Sequence, residues 1–288
     1  MNINNNEYDY AIIIDDDEEE EEKEKEPILH NHLEEVETKI EEQVKPKKTR
    51  NRVTPFFLKK SFFEEEDIME IGVDEAGRGP LFGRVYTAAV VLPKDINYFD
   101  HTLMKDSKKF HSKSKIVKVA EYIKENAIDW SVTYEDEKTI DEINILQATQ
   151  KSMHHSVHNI LSKKNQNSNN YRTKTKVFPT SVQLLIDGNY FNPISFYDKE
   201  SKKINVVPHI CIEGGDNKYS AIAAASILAK VARDQYIDDL CDKYPELAEK
   251  YAIDTNKGYG AKKHLDGIKE YGITPWHRKS FGICKQYA

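Results

Sequence analysis

The chain has 288 residues, enough for one large domain or two small ones. Its net charge of −7 is unevenly spread: residues 1–50 hold 17 acidic and 7 basic side chains, and the remainder carries a net of +3. Three cysteines (Cys211, Cys241, Cys284) without CxxC spacing argue against a disulfide framework and a zinc knuckle, and no secretory leader or membrane-length apolar run is read, so an intracellular (cytoplasmic, or nuclear if eukaryotic) protein is expected.

Residues 1–66 read as a low-complexity tail. "YAIIIDDDEEEEEKEKE" is followed by a patch at 30–44 with short-helix character and by the basic linker "KPKKTRNRVTP". Such compositions stay solvated and disordered. Ile12–Ile14 before the acids is a candidate strand for a protein partner's sheet edge, a pattern common in such tails. "PFFLKKSFF" at 55–63 is apolar enough to pack on the body or to dock elsewhere.

From residue 67 the elements alternate. Strands are predicted at 68–73, 84–92, 127–134, 182–187 and 206–212, and helices at about 113–126, 139–162, 218–243 and 262–271. The alanines of "YSAIAAASILAKVARDQYIDDL" suit a helix packed closely on a sheet. "SKKNQNSNNYRTKTK" (162–176) has no period and reads as a surface insertion. The pattern predicts an α/β body, residues 67–288, whose C-terminal lobe from about residue 244 is helical.

Four acids are poorly explained by a solvated face. Asp74 and Glu75 end the first strand, Asp187 ends "VQLLID", and Asp234 lies on the alanine-rich helix. Carboxylates from two strands and a helix that converge at a sheet edge are suited to two hard divalent cations, Mg²⁺ or Mn²⁺, which together activate water and stabilise a leaving oxygen. Each acid also has an ordinary reading as a surface pair, a turn or an exposed helix charge, so residues alone support a candidate metal site and no more.

The turn Gly77–Arg78–Gly79 offers backbone groups and one cation to a sugar or phosphate. The basic clusters at 105–115, 257–264 and 276–281 fit phosphate contact or charged loops equally well. His154 and His158, at i,i+4, lack the glutamate of HExxH and read as surface or packing residues.

"GVDEAGRGPLFG", "DSKK", "IDEINILQAT", "LLIDGN", "SAIAAASILAKVARD", "GYGAKKHL" and "TPWHRKSF" follow one another in the order and approximate spacing of the type 2 ribonucleases H, ribonuclease HII. The resemblance spans about 70–283. It implies a ribonuclease H-like fold, a mixed central sheet flanked by helices with a helical C-terminal extension. It also implies metal-dependent hydrolysis of RNA in RNA–DNA hybrids and incision 5′ of single ribonucleotides in duplex DNA, leaving 5′-phosphate and 3′-hydroxyl ends, with a role in repair and replication. The family's metal-binding carboxylates fall on Asp74, Glu75, Asp187 and Asp234. Its ribonucleotide-contacting element falls on Gly77, Arg78 and Gly79, and its junction-sensing tyrosine on Tyr259.

Arg84 stands where the family commonly has proline, Phe82 where a small residue is usual, and Gly215–Asp216 where a lysine is frequent. The alternatives are a type 3 ribonuclease H preferring long hybrids and a non-catalytic hybrid-binding protein. The expected partners are nucleic acid and, through the tail, a protein; the expected state is a monomer.

Overall fold

The computed structural model describes residues 57–65, 67–167, 181–198 and 202–288. The acidic tail, with Ile12–Ile14 and the patch at 30–44, and residues 168–176 of the expected insertion lie outside them.

Five strands make the central sheet: β1 (Ile68–Ala76), β2 (Val85–Val91), β3 (Asp129–Glu135), β4 (Ser181–Asp187) and β7 (His209–Ile212), in the spatial order β3-β2-β1-β4-β7. β2 is antiparallel to β1 and β3, whereas β1, β4 and β7 run parallel. A separate hairpin pairs β5 (Ser195–Asp198) with β6 (Lys203–Val206).

The apolar runs of β1 and β2 are explained by helices on both faces. One face packs on α1 (Lys113–Asn126) and α3 (Ser220–Lys243) through Ala88, Val90, Ile123 and the α3 alanines. The other packs on α2 (Glu137–Asn167) through Ile71, Val73, Leu184, Ile186 and Val157. Each fully buried Ile or Leu in these layers stabilises the fold by about 1.5–3 kcal/mol. At Gly72 a Cβ would collide with the Ala221 backbone, so a strand residue without a side chain is what lets α3 lie directly on β1. Asp74 lies two residues further along that face, which carries its carboxyl under α3.

The C-terminal lobe contains α4 (Glu246–Tyr251), α5 (Ile253–Asn256) and α6 (Lys262–Tyr271). It packs around Phe82, Ile237, Leu247, Ile253 and Ile268.

Several expectations change. The strand expected over 206–212 is interrupted at Val207–Pro208, where proline has no amide hydrogen; its carbonyl accepts from the Leu184 amide instead (2.9 Å). The insertion expected from 162 begins inside α2, which continues to Asn167. α2 is broken at Asn144 (φ 66°), whose Oδ1 accepts from the Gln147 amide (3.1 Å) and so caps the second segment. Segment 57–63, grouped with the tail by composition, joins the body. Lys59 bridges to Tyr219, and the Phe62 and Phe63 amides donate to the buried Glu70 carboxylate at 2.7–3.0 Å. All three cysteines are unpaired, and burial raises the Cys241 and Cys284 thiols to about 11.

Candidate active site

Val73 pairs with Ile186 across the parallel β1–β4 ladder, so Asp74 and Asp187 follow side by side at the carboxyl ends of their strands. Ligand sites of open α/β sheets lie beyond such ends. Here a cleft of about 450 Å³ opens, bounded by Asp74, Glu75, the Gly77–Gly79 turn, Asp187, Asp234 of α3 and Tyr259 of the C-terminal lobe. The expected site residues thus share one cavity.

Asp74 is 4% exposed. Its Oδ1 accepts from the Glu75 amide (2.6 Å), and its carboxyl also takes a hydrogen bond from Ser226. Ser226 in turn meets Ser107 of the "DSKK" segment, Oγ to Oγ, at 3.1 Å. Burial, then the charges of Glu75 and Asp187, push Asp74 well above the ordinary carboxylate range. Burial, with Asp187 also contributing, raises Glu75 as well, although Arg78 Nη1 donates to its Oε1 (3.2 Å) and offsets part of the cost. Asp187 Oδ1 accepts from the Gly215 amide (2.7 Å). Asp234 pairs with Lys230 (2.8 Å) and Arg233 (3.5 Å).

A fifth acid, Asp216, also lines the cleft and is raised by burial and by Asp187. In the sequence this position stands out only as a departure from a frequent lysine; its place under the β4 terminus depends on the turn after β7. Lys108, Lys230, Arg233 and Lys257 add positive charge along the same walls. Lys108 and Lys257 come from two of the basic clusters. In the third, at 276–281, His277 and Arg278 are buried, which rules out phosphate contact through them, while Lys279 and Ser280 stay exposed.

The four carboxylates suit hard cations in chemistry and charge. Among the described residues no three Asp, Glu, His or Cys side chains form a closed metal shell. Hard ions such as Mg²⁺ keep several waters and take one or two carboxylates each. An all-oxygen set around the buried Asp74 fits such open, hydrated binding, because a cation there would offset the burial and, after it, the Glu75 and Asp187 charges that raise Asp74.

Tyr259 stands across the cleft from the turn. A Cβ on Gly79 would lie 3.6 Å from the Tyr259 ring, and the Arg233 guanidinium is 5.7 Å from the ring centroid. The Gly77 backbone has φ 94°, and a Cβ there would meet the Arg233 side chain at 2.5 Å, so this step of the turn requires glycine.

The departures from the resembled pattern are accommodated by packing. The Arg84 guanidinium lies 4.0 and 4.3 Å from the ring centroids of Tyr134 and Tyr236. Phe82 fills the lobe's core against His264, Trp276 and His277. His154 bonds the Asn192 carbonyl (2.7 Å), a packing role away from the cleft.

A family model described as Ribonuclease HII matches residues 71–284. The Ribonuclease HII of Bacteroides thetaiotaomicron is 42% identical over 76% of this chain and 92% of its own length. That of Phocaeicola vulgatus is 40% identical over 76% and 91%. Among solved structures, one titled as the PCNA:RNase HII complex from Archaeoglobus fulgidus has a similar fold, with TM-score 0.50, 22% identity, and coverage of 75% of this chain and 96% of that chain.

The mixed sheet and its helical C-terminal region are therefore the ribonuclease H-like fold, and the relatives make the chain a ribonuclease H endonuclease. It belongs to the ribonuclease HII family. No described helix is long and apolar enough to cross a membrane.

Proposed function

We propose that this ribonuclease H incises duplex DNA on the 5′ side of single embedded ribonucleotides as well as cleaving continuous RNA–DNA hybrids, in the service of ribonucleotide removal during repair and replication. The observation that carries this reading is the placement of the Gly77–Gly79 turn opposite Tyr259, beside the carboxylates. A 2′-hydroxyl distinguishes RNA from DNA at such a site. The turn's backbone groups and Arg78 bind the ribonucleotide sugar and its flanking phosphates. The Tyr259 ring stacks on the next sugar and disfavours a second 2′-hydroxyl, which gives a preference for the lone ribonucleotide over the continuous hybrid.

Asp74, Glu75, Asp187 and Asp234 hold two Mg²⁺ or Mn²⁺ ions. When bound, such ions supply an activated water and charge stabilisation for phosphodiester hydrolysis. In that reaction water adds to phosphorus, the bond from phosphorus to the 3′-oxygen breaks, and the departing oxygen takes up a proton. The products are a 3′-hydroxyl and a 5′-phosphate. Lys108 and Lys230 neutralise backbone phosphates along the cleft, and Ser226 orients Asp74. The catalytic unit is residues 67–288 with the docked segment 57–63.

The test compares kcat/KM on a lone-ribonucleotide duplex and on a continuous hybrid, for wild type and Tyr259→Ala. The expected result is a wild-type preference that falls about tenfold or more in the variant, the scale of 1–3 kcal/mol of stacking per nucleotide. An unchanged ratio contradicts the assignment of Tyr259.

A further inference from the structure

Two adjacent residues of the C-terminal lobe, His277 and Arg278, are buried and take no part in the chemistry above. Their hydrogen bonds lead in two directions, and both end at the sugar-reading wall of the cleft.

Arg278 is fully buried. Its Nη2 donates to the Gly77 carbonyl (2.6 Å), its Nη1 to those of Arg78 (3.0 Å) and Pro80 (2.8 Å), and its Nε to that of Gly83 (2.8 Å). Four of the five guanidinium N–H groups are thus spent on the carbonyls of one loop. Burial, then the nearby Arg233 charge, lowers this group to about 9. A buried cation whose hydrogen bonds all go to carbonyls and that has no carboxylate in hydrogen-bond contact is costly, and what it secures in return is the conformation of residues 77–83.

His277 faces the other way. Its Nδ1 accepts from the Thr274 amide (2.9 Å), which leaves the proton of the neutral ring on Nε2. That Nε2–H donates to His264 Nε2 (3.0 Å), and His264 Nδ1–H then donates to the Tyr259 carbonyl (2.8 Å). The tautomers follow in one direction from Thr274 to Tyr259. The two arms are also laced by backbone: Leu81 donates to the Gly258 carbonyl, Gly83 to that of Trp276, and Arg278 to that of Leu81, at 2.8–2.9 Å.

We propose that the dipeptide His277–Arg278 is a two-armed positioning unit for substrate recognition: Arg278 sets the conformation of the Gly77–Gly83 loop, and His277, through His264, sets Tyr259 opposite it. The inference rests on the proposed role of that wall in reading a lone ribonucleotide. These residues touch neither substrate nor reacting atoms, and they act on discrimination rather than on the carboxylates.

A double-mutant cycle tests this on the full chain. His264→Leu, which removes the donor to Tyr259, is measured alone and with Tyr259→Ala by kcat/KM on the lone-ribonucleotide duplex and on the continuous hybrid. Mn²⁺ affinity is followed by titration calorimetry. The expected result is a loss of about 10- to 100-fold on the lone-ribonucleotide duplex for His264→Leu alone, the scale of a small misplacement in a binding wall. Little or no further loss is expected in the Tyr259→Ala background, with Mn²⁺ affinity unchanged. Equal losses in both backgrounds overturn the proposal.

Should His264→Leu fail to fold, His264→Asn and His264→Gln replace it. Asparagine keeps a donor where Nδ1 stands and retains discrimination, whereas glutamine keeps only the Nε2 position and loses it. Equal discrimination by the two overturns the relay. Arg278→Lys lowers lone-ribonucleotide cleavage in either background, because its arm is separate and a lysine cannot reproduce the planar fork; retention of wild-type discrimination overturns that arm. A wild type that shows no preference at all instead removes the reading of the wall itself.

Discussion

Asp74 and Asp187 lie side by side just past the last pair of the β1–β4 ladder, and the charge of Asp187 is one of the forces that raise the buried Asp74 carboxyl. Folding brings these acids together against their repulsion, so the metal-free site is a locus of stored electrostatic cost.

Replacing Asp74 by asparagine removes that cost while keeping the acceptor for the Glu75 amide. Asp74→Asn is expected to lower kcat on the order of 10³-fold, since several kcal/mol of charge stabilisation is lost. In chelator it is expected to melt above wild type. Thermal unfolding with and without Mg²⁺ checks both parts, and a lower melting temperature in chelator refutes the repulsion argument.

The histidine relay makes stability depend on acid in a defined window. Burial holds His277 neutral, with its pKa lowered to about 3, and lowers His264 as well. Below pH 6.5 the unfolded chain takes up protons that the folded chain refuses, so stability is complete above about 6.5 and declines as pH falls toward 3. For His277 the whole window amounts to about 4–5 kcal/mol. Urea unfolding at pH 7.5 and 5.0 is expected to show a larger loss for wild type than for His277→Asn; equal losses exclude His277 as the source.

The N-terminal boundary of the body is testable by truncation. Removing residues 1–56 spares the docked segment and is expected to leave stability within about 0.5 kcal/mol. Removing 1–66 strips the Phe62 and Phe63 amides from the buried Glu70 and the Lys59 backbone from Lys218 and Ser220. Leaving a buried carboxylate short of donors costs about 1–3 kcal/mol. Equal midpoints for the two truncations in urea count against the docking.

Much of this architecture is legible in local pattern. The helices at 113–126 and 262–271 and the strand ending in Asp187 are set by apolar spacing and by the residues that bound them. Asp74, Glu75 and Asp187 stand out as acids at the ends of apolar strands, and Asp234, on a helix, is singled out by the resemblance. Other features depend on partners far away in the chain. Arg278 reads as a surface cation until a loop 195 to 201 residues earlier supplies its acceptors. Asp216 reads as a missing lysine until the turn after β7 places it beside Asp187. Strand β6 escapes notice because its apolar residues Ile204 and Val206 stay exposed, so they mark no buried face.

Arg84 illustrates compensation at a position where proline is the commoner choice. Its guanidinium lies against the Tyr134 and Tyr236 rings, and Tyr236 donates to Glu137 (3.0 Å) beside it. Arg84→Ala is expected to cost about 1–2 kcal/mol of stability, the range for a partly desolvated cation on aromatic faces. The ratio of lone-ribonucleotide to hybrid cleavage is expected to hold. A changed ratio with unchanged stability places Arg84 in substrate binding instead.

The most direct test of the whole proposal is to map the cut in a duplex DNA that holds one ribonucleotide, labelled at both ends of that strand, in Mg²⁺. A single incision on the 5′ side of the ribonucleotide, with 3′-hydroxyl and 5′-phosphate ends, is expected. It should be absent from an all-deoxy control and from Asp187→Asn. A lone-ribonucleotide duplex left intact by protein that cuts a continuous hybrid efficiently would contradict the reading of Gly77–Gly79 and Tyr259.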